Sequence, residues 1–161
     1  MIKKALPNTS SSKSKDGAGF TLIELIVVFS IFSILSALGL ASFVTYSRAQ
    51  AVTTERNNLI QTLNVAKSRA QSQVKPSTCT TLVGYSVVLD TANERYTLNA
   101  LCKPTNQTVS TTNFAQNIDL YSANPSTYAF PVLTGGATTG TIVIRGYGIS
   151  QTITVNANGI N

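Results

Sequence analysis

Glu24 is a carboxylate set inside an apolar run, and its placement demands a chemical reason. The residues from Phe20 to Val44 carry no other charge. An ionised side chain in such surroundings costs about 2.5 kcal/mol or more on insertion scales, so it calls for a cationic partner. No Lys, Arg or His lies between Phe20 and Tyr46, so that partner must come from elsewhere. Cys79 and Cys102 are the second candidate for chemistry. Joined, they would close a loop of about 24 residues and add about 3 kcal/mol by chain entropy; unlinked thiols are the alternative.

The remaining inventory argues against catalysis. The sequence has no His and no Trp, and its acids, Asp16, Glu24, Glu55, Asp90, Glu94 and Asp119, are scattered. No triad, catalytic carboxylate pair or zinc site can be assembled from them, so no catalytic residue, no metal and no cofactor is expected. Asp90-Thr91-Ala92-Asn93-Glu94 could hold Ca²⁺ with help from carbonyls, but an acidic turn of this kind is more often a solvated hairpin loop. Asn8-Thr9-Ser10 and Asn106-Gln107-Thr108 match a glycosylation sequon. The cations Lys67, Arg69, Lys75, Arg95, Lys103 and Arg145 form no dense run and are not interleaved with aromatics, which is weak ground for nucleic-acid binding.

The elements that must position these residues fall into three stretches. Residues 1–19 are polar and rich in Ser and Lys, with no apolar periodicity. Phe20 to Val44 is long enough for a helix of about 37 Å, more than a hydrocarbon core of about 30 Å, and reads as a membrane span. After it the pattern becomes periodic. Val52, Leu59, Ala66 and Gln73 recur every seven residues, Leu63 and Ala70 fall between them, and Ile60 and Val74 widen the stripe. Pro76 stops the helix near Gln73 to Lys75.

Beyond Pro76 the pattern is that of strands. Leu82 to Leu89 and Arg95 to Leu101 flank an acidic turn, and Gly140 to Arg145 and Gln151 to Asn156 flank Gly146-Tyr147-Gly148. Asn158-Gly159 offers one more turn. Thr105 to Thr139 is expected to be mostly loop, with Ile118 to Tyr121 and Tyr128 to Val132 as short strand candidates. A long N-terminal helix followed by antiparallel hairpins predicts an α+β roll in which a small sheet buries the helix stripe.

Lys3, Lys4, Lys13 and Lys15, then Gly19 followed by Phe20-Thr21-Leu22-Ile23-Glu24, resemble the class III leader and N-terminus of type IV pilins and type II secretion pseudopilins. The resemblance implies cleavage between Gly19 and Phe20 by a prepilin peptidase, N-methylation of Phe20, and assembly with other pilin or pseudopilin subunits through Glu24, on an inner-membrane assembly platform. It divides the chain into a leader (1–19), a transmembrane and filament-core helix (20–45), an amphipathic helical half (46–75) and an extracytoplasmic β-rich domain (76–161). An ordinary secretory signal is the other reading, with cleavage after the apolar region, where Ala37-Leu38-Gly39 offers a small-x-small site.

Charge agrees with this division. Of the net charge of +6, the first 19 residues supply half, and Lys ahead of a span holds that end in the cytoplasm and sends the remainder outward. Phe130-Pro131, Gly135-Gly136, Thr141 to Ile144 and Ile153 to Val155, with Gly159 and Ile160, are similar to the minor-pseudopilin and FimT-type minor-pilin domain. That similarity implies a minor subunit of a pilus or secretion pseudopilus. A filament-borne adhesin or DNA-uptake subunit and a membrane-anchored domain that never polymerises are the alternatives.

Overall fold

The structure, a computed structural model, describes residues 19–134, 136–157 and 159–161, without the side chains of Ala37, Leu38, Gly39 and Ala41. The leader lysines, the sequon at Asn8, the side chains of the small-x-small site, Gly135 and the Asn158 half of the last turn lie outside the described residues. The chain divides into two compact units, residues 1–41 and 42–161.

Helix α1 (Leu22–Gln71) is the first element. Thr21 caps its start: the Glu24 amide donates to Thr21 Oγ1 at 3.3 Å, and the Leu25 amide donates to the Thr21 carbonyl at 3.2 Å. A Thr followed three residues later by Glu is a capping box, so the carboxylate that draws attention in the sequence also belongs to the signal that starts the helix. The helix ends two residues short of the range expected from Pro76. Gln73 takes φ 52°, the Val74 amide donates to the Arg69 carbonyl at 3.1 Å, and the Gln73 amide donates to the Ala70 carbonyl at 3.3 Å. This is a Schellman closure with a non-glycine residue in the left-handed position, and it satisfies the last carbonyls before Pro76 is reached.

In the second unit the amphipathic stripe is buried as its spacing requires. Val52, Leu59, Leu63, Ala66 and Ala70 are inaccessible, whereas Val74 and Gln73, beyond the helix end, are exposed. Two antiparallel sheets complete the core. One has the order β3-β2-β1-β5, from β1 (Thr81–Asp90), β2 (Arg95–Lys103), β3 (Gln107–Asn113) and β5 (Thr127–Pro131). The other has the order β4-β6-β7, from β4 (Ile118–Asn124), β6 (Gly140–Gly146) and β7 (Ile149–Val155). Tyr85, Val87, Tyr128 and Phe130 of the first sheet and Ile142, Ile144, Ile153 and Val155 of the second join the helix stripe in one cluster.

The fold is α+β as the pattern predicted, with two corrections. The hairpins do not share a single sheet: β5 pairs with β1, and β4 pairs with β6. The connection Pro125-Ser126 therefore carries the chain from one sheet to the other. Thr105 to Thr139 is not mostly loop, since it supplies β3, β4 and β5. β3 escapes a periodicity search because it is an edge strand with nearly all of its side chains exposed, so nothing selects apolar alternation. Its pairing with β2 is reinforced by polar cross-strand pairs, Thr108 Oγ1 donating to Asn99 Oδ1 at 3.1 Å and Thr97 meeting Thr111 at 3.4 Å.

The second hairpin closes as expected. Tyr147 (φ 52°) and Gly148 (φ 80°) form a two-residue turn between Gly146 and Ile149, the primed geometry that matches strand twist. Gly140 is required by a close approach instead: a Cβ there would stand 2.2 Å from the Asn124 carbonyl oxygen and 2.5 Å from Pro125 Cδ.

Candidate functional site

Gly19 and Phe20 precede the capped first turn of α1, with Glu24 at its third helical position. Phe20 is 82% exposed and the Glu24 side chain is also exposed. Among the described residues no cation forms an ion pair with Glu24. The amine of a chain beginning at Phe20 would be a cation one helical turn away in sequence, matched in type to the carboxylate. The apolar residues that follow are exposed on every side of the helix. Leu22, Ile23, Leu25 and Ile26, at successive azimuths, are all at least half exposed. A helix apolar all round needs a surrounding of lipid or other helices, whereas a helix that docks on its own domain shows a stripe.

Residues 15–40 match the prokaryotic N-terminal methylation motif. That motif is a type IV pilin-type leader, and it spans Gly19, Phe20 and Glu24 together with the first helical turns. The match makes this N-terminal segment similar to the leader and first helical turns of processed pilin-type chains. No curated protein and no solved structure matches the chain. Among the described residues no helix is long and apolar enough to cross a membrane; the side chains of Ala37, Leu38, Gly39 and Ala41, within the leader motif and just beyond it, lie outside that description.

The other candidates resolve differently. Cys79 and Cys102 form a disulfide with a Cα–Cα distance of 5.5 Å, and both are buried. The bridge ties the segment that leaves α1 to the end of β2. Tyr85 fastens the same exit, its hydroxyl donating to the Val74 carbonyl at 2.6 Å.

The acidic turn is a closed hairpin loop whose donors are supplied from within. Asp90 accepts from the amides of Ala92 and Asn93 at 3.1 Å, from Asn93 Nδ2 at 2.7 Å and from Arg95 Nε at 3.2 Å. A carboxylate occupied in this way has little left to offer Ca²⁺, and the described residues contain no group of three or more His, Cys, Asp or Glu side chains placed to hold a metal ion. Asn93, through its side chain first and its backbone amide second, holds the Asp90 carboxyl below its ordinary value, with a smaller contribution from Arg95. A group whose folded value is depressed stabilises the fold above its unfolded value and loses that contribution as pH falls through the folded one. The first hairpin should therefore loosen below about pH 4. Amide shifts of Ala92 and Asn93 followed by NMR should titrate together there, and Asp90→Asn should abolish that titration.

Of the six cations, Arg69 and Lys75 line one cleft at the end of α1, and others are engaged elsewhere. Arg95 is engaged with Asp90, Arg145 stacks over Tyr121 at 3.6 Å on the other sheet, and Lys75 donates to the Thr80 carbonyl at 3.2 Å. Two features escaped the sequence reading. The cap at Thr21 was present in the pattern Thr-x-x-Glu. A cleft of about 460 Å³ beside α1, bounded by Phe43, Tyr46, Glu55 and Ile118, carried no sequence signal, because Ile118 is distant in the chain.

Proposed function

We propose that the protein is a subunit, of the minor pilin or pseudopilin kind, in a type IV pilus or type II secretion pseudopilus. The observation that carries this reading is the leader motif over residues 15–40, which sets Gly19-Phe20 immediately before a capped apolar helix with Glu24 in its first turn. Prepilin peptidase cuts after Gly19, the new amine of Phe20 is methylated, and residues 20–45 reside in the membrane until the subunit enters a filament. Their exposure on all sides supports such a destination. An inner-membrane platform and other pilin-type chains are the partners.

The bridge near the first hairpin, rather than at the C-terminus, supports a minor over a major subunit. A nucleic-acid or adhesive role gains little, since Arg95 and Arg145 are already engaged within the domain. Mass spectrometry of the mature chain tests the reading: it should begin at an N-methylated Phe20. A chain beginning at Met1, or one cut after Gly39, would overturn it.

A further inference from the structure

The two sheets have four outer edges, and three of them are covered or interrupted. The segment after β5 covers that strand, with the Thr138 amide donating to the Ala129 carbonyl at 3.2 Å and the Ala129 amide donating to Thr138 Oγ1 at 3.1 Å. The C-terminal residues cover β7: the amides of Thr154 and Asn161 each donate to the other's carbonyl, at 2.7 and 3.0 Å, and Arg56 Nε donates to the Thr152 carbonyl at 3.4 Å. β4 is interrupted by a register shift between Leu120 and Ser122 and carries the charge of Asp119. β3 remains. From Gln107 to Asn113 it has neither a charge nor a Pro to discourage pairing. The Phe114 amide donates to the Glu94 carbonyl at 3.0 Å, which continues the β2–β3 ladder, so alternation turns the backbone groups of Thr111 and Asn113 away from β2.

This edge borders a groove of one charge sign. Two adjoining clefts of about 490 and 410 Å³ lie between α1 and β3 in the second unit, and both are lined by Arg69 and Val109. The β2–β3 register shifts between Leu98 and Asn99, which leaves Val109 without a residue opposite it and aims its side chain into the groove. Arg69 is half-buried and makes no ion pair among the described residues; Lys75 lines the same end, and no Asp or Glu lines either cleft. The spacing suits a strand. Asn58 to Arg69 rises about 16.5 Å along α1, the length of about five extended residues, and Val65 to Arg69 rises about 6 Å, close to the repeat of side chains on one face of a strand. β3 runs from the Arg69 end, at Gln107, to the Asn58 end, at Thr112, so an antiparallel neighbour would run toward Arg69.

We propose that β3 receives an extended segment of a partner protein as an added antiparallel strand, with an apolar side chain set between Val65 and Val109 and, two residues later, a Glu or Asp paired with Arg69. Backbone bonds at Thr111 and Asn113 supply affinity, and the groove selects the sequence. A cationic groove without an acid of its own is complementary to that carboxylate. The inference rests on the second unit alone and goes beyond the filament reading, so either can fail without the other.

The test uses the full-length chain in detergent micelles and a fluorescein-labelled peptide, Thr-Thr-Thr-Val-Thr-Glu-Thr, followed by anisotropy. It should bind with a Kd of roughly 100 µM. Lys in place of the peptide's Glu, or Arg69→Glu in the chain, should weaken binding about ten-fold, and the two together should restore most of it. Arg69→Gln, which keeps a good helix former at the helix end, should weaken it in the same direction. A peptide N-methylated at alternate amides keeps its charge but loses its donors, and should not bind. Hydrogen exchange of residues 111–113 should slow with the parent peptide. Equal binding by the N-methylated peptide overturns strand addition, and a charge exchange that restores nothing overturns the pairing with Arg69. No saturable binding at millimolar peptide overturns the proposal, as does a single-stranded oligonucleotide that binds the groove while the peptide does not.

Discussion

Glu24→Leu is expected to leave membrane insertion and cleavage intact while reducing incorporation into filaments by roughly ten-fold or more. The span becomes more apolar, so insertion loses nothing. What disappears is the carboxylate that can meet the Phe20 amine of a neighbouring subunit in an apolar surrounding, where either charge alone is costly. The helix N-terminus also favours a carboxylate in its first turn, by about 0.3 to 1 kcal/mol, but that term is too small to justify burial and does not choose between neighbours. Thr21 still caps the first turn in the variant through its hydroxyl, so the loss is not one of helix formation. Glu24→Asp keeps the charge with a shorter reach and should be intermediate. Sheared filament yield, or co-purification with other pilin-type chains, is the measurement. Undiminished assembly of the Leu variant would remove Glu24 from the contact.

Loss of the Cys79–Cys102 bridge is the largest effect expected on stability. The bridge closes a loop of about 24 residues, so the double variant Cys79→Ala, Cys102→Ala should lose about 3 kcal/mol. For a unit of this size the melting temperature falls by about 10 °C. Alanine is preferred to serine because both positions are buried, and a hydroxyl without a partner would add its own cost. The bridge fixes the exit from α1 at the point where Tyr85 also holds the Val74 carbonyl, so helix-end signals should broaden before those of the β4-β6-β7 sheet. Circular dichroism with temperature, with and without reductant, reads the shift. A melting temperature within about 2 °C of the parent would mean that the bridge constrains the unfolded chain far less than its loop length implies.

The sequence by itself determined the features that depend on neighbours along the chain. The apolar run from Phe20, the lone acid in it and the basic leader are linear signals, and the leader-motif match over residues 15–40 covers Gly19, Phe20, Glu24 and most of that run. The seven-residue stripe from Val52 to Ala70 is another, because helical period alone places those side chains on one face. Both outer hairpins follow from alternating strands around short turns.

Tertiary structure decided what depends on distant pairing. β3, with its run of Thr and Ser, becomes a strand because β2 offers it a ladder of backbone partners, a condition no local pattern of polar residues reports. The division into two sheets follows from β5 choosing β1 and β4 choosing β6, pairings between segments far apart in the chain. The cleft that exposes Glu55 exists because Ile118, at the start of β4, is brought beside a helix more than sixty residues earlier in sequence. Periodicity records which face of an element is apolar; which surface meets that face, and which remains open, is fixed only when the sheets close over the helix.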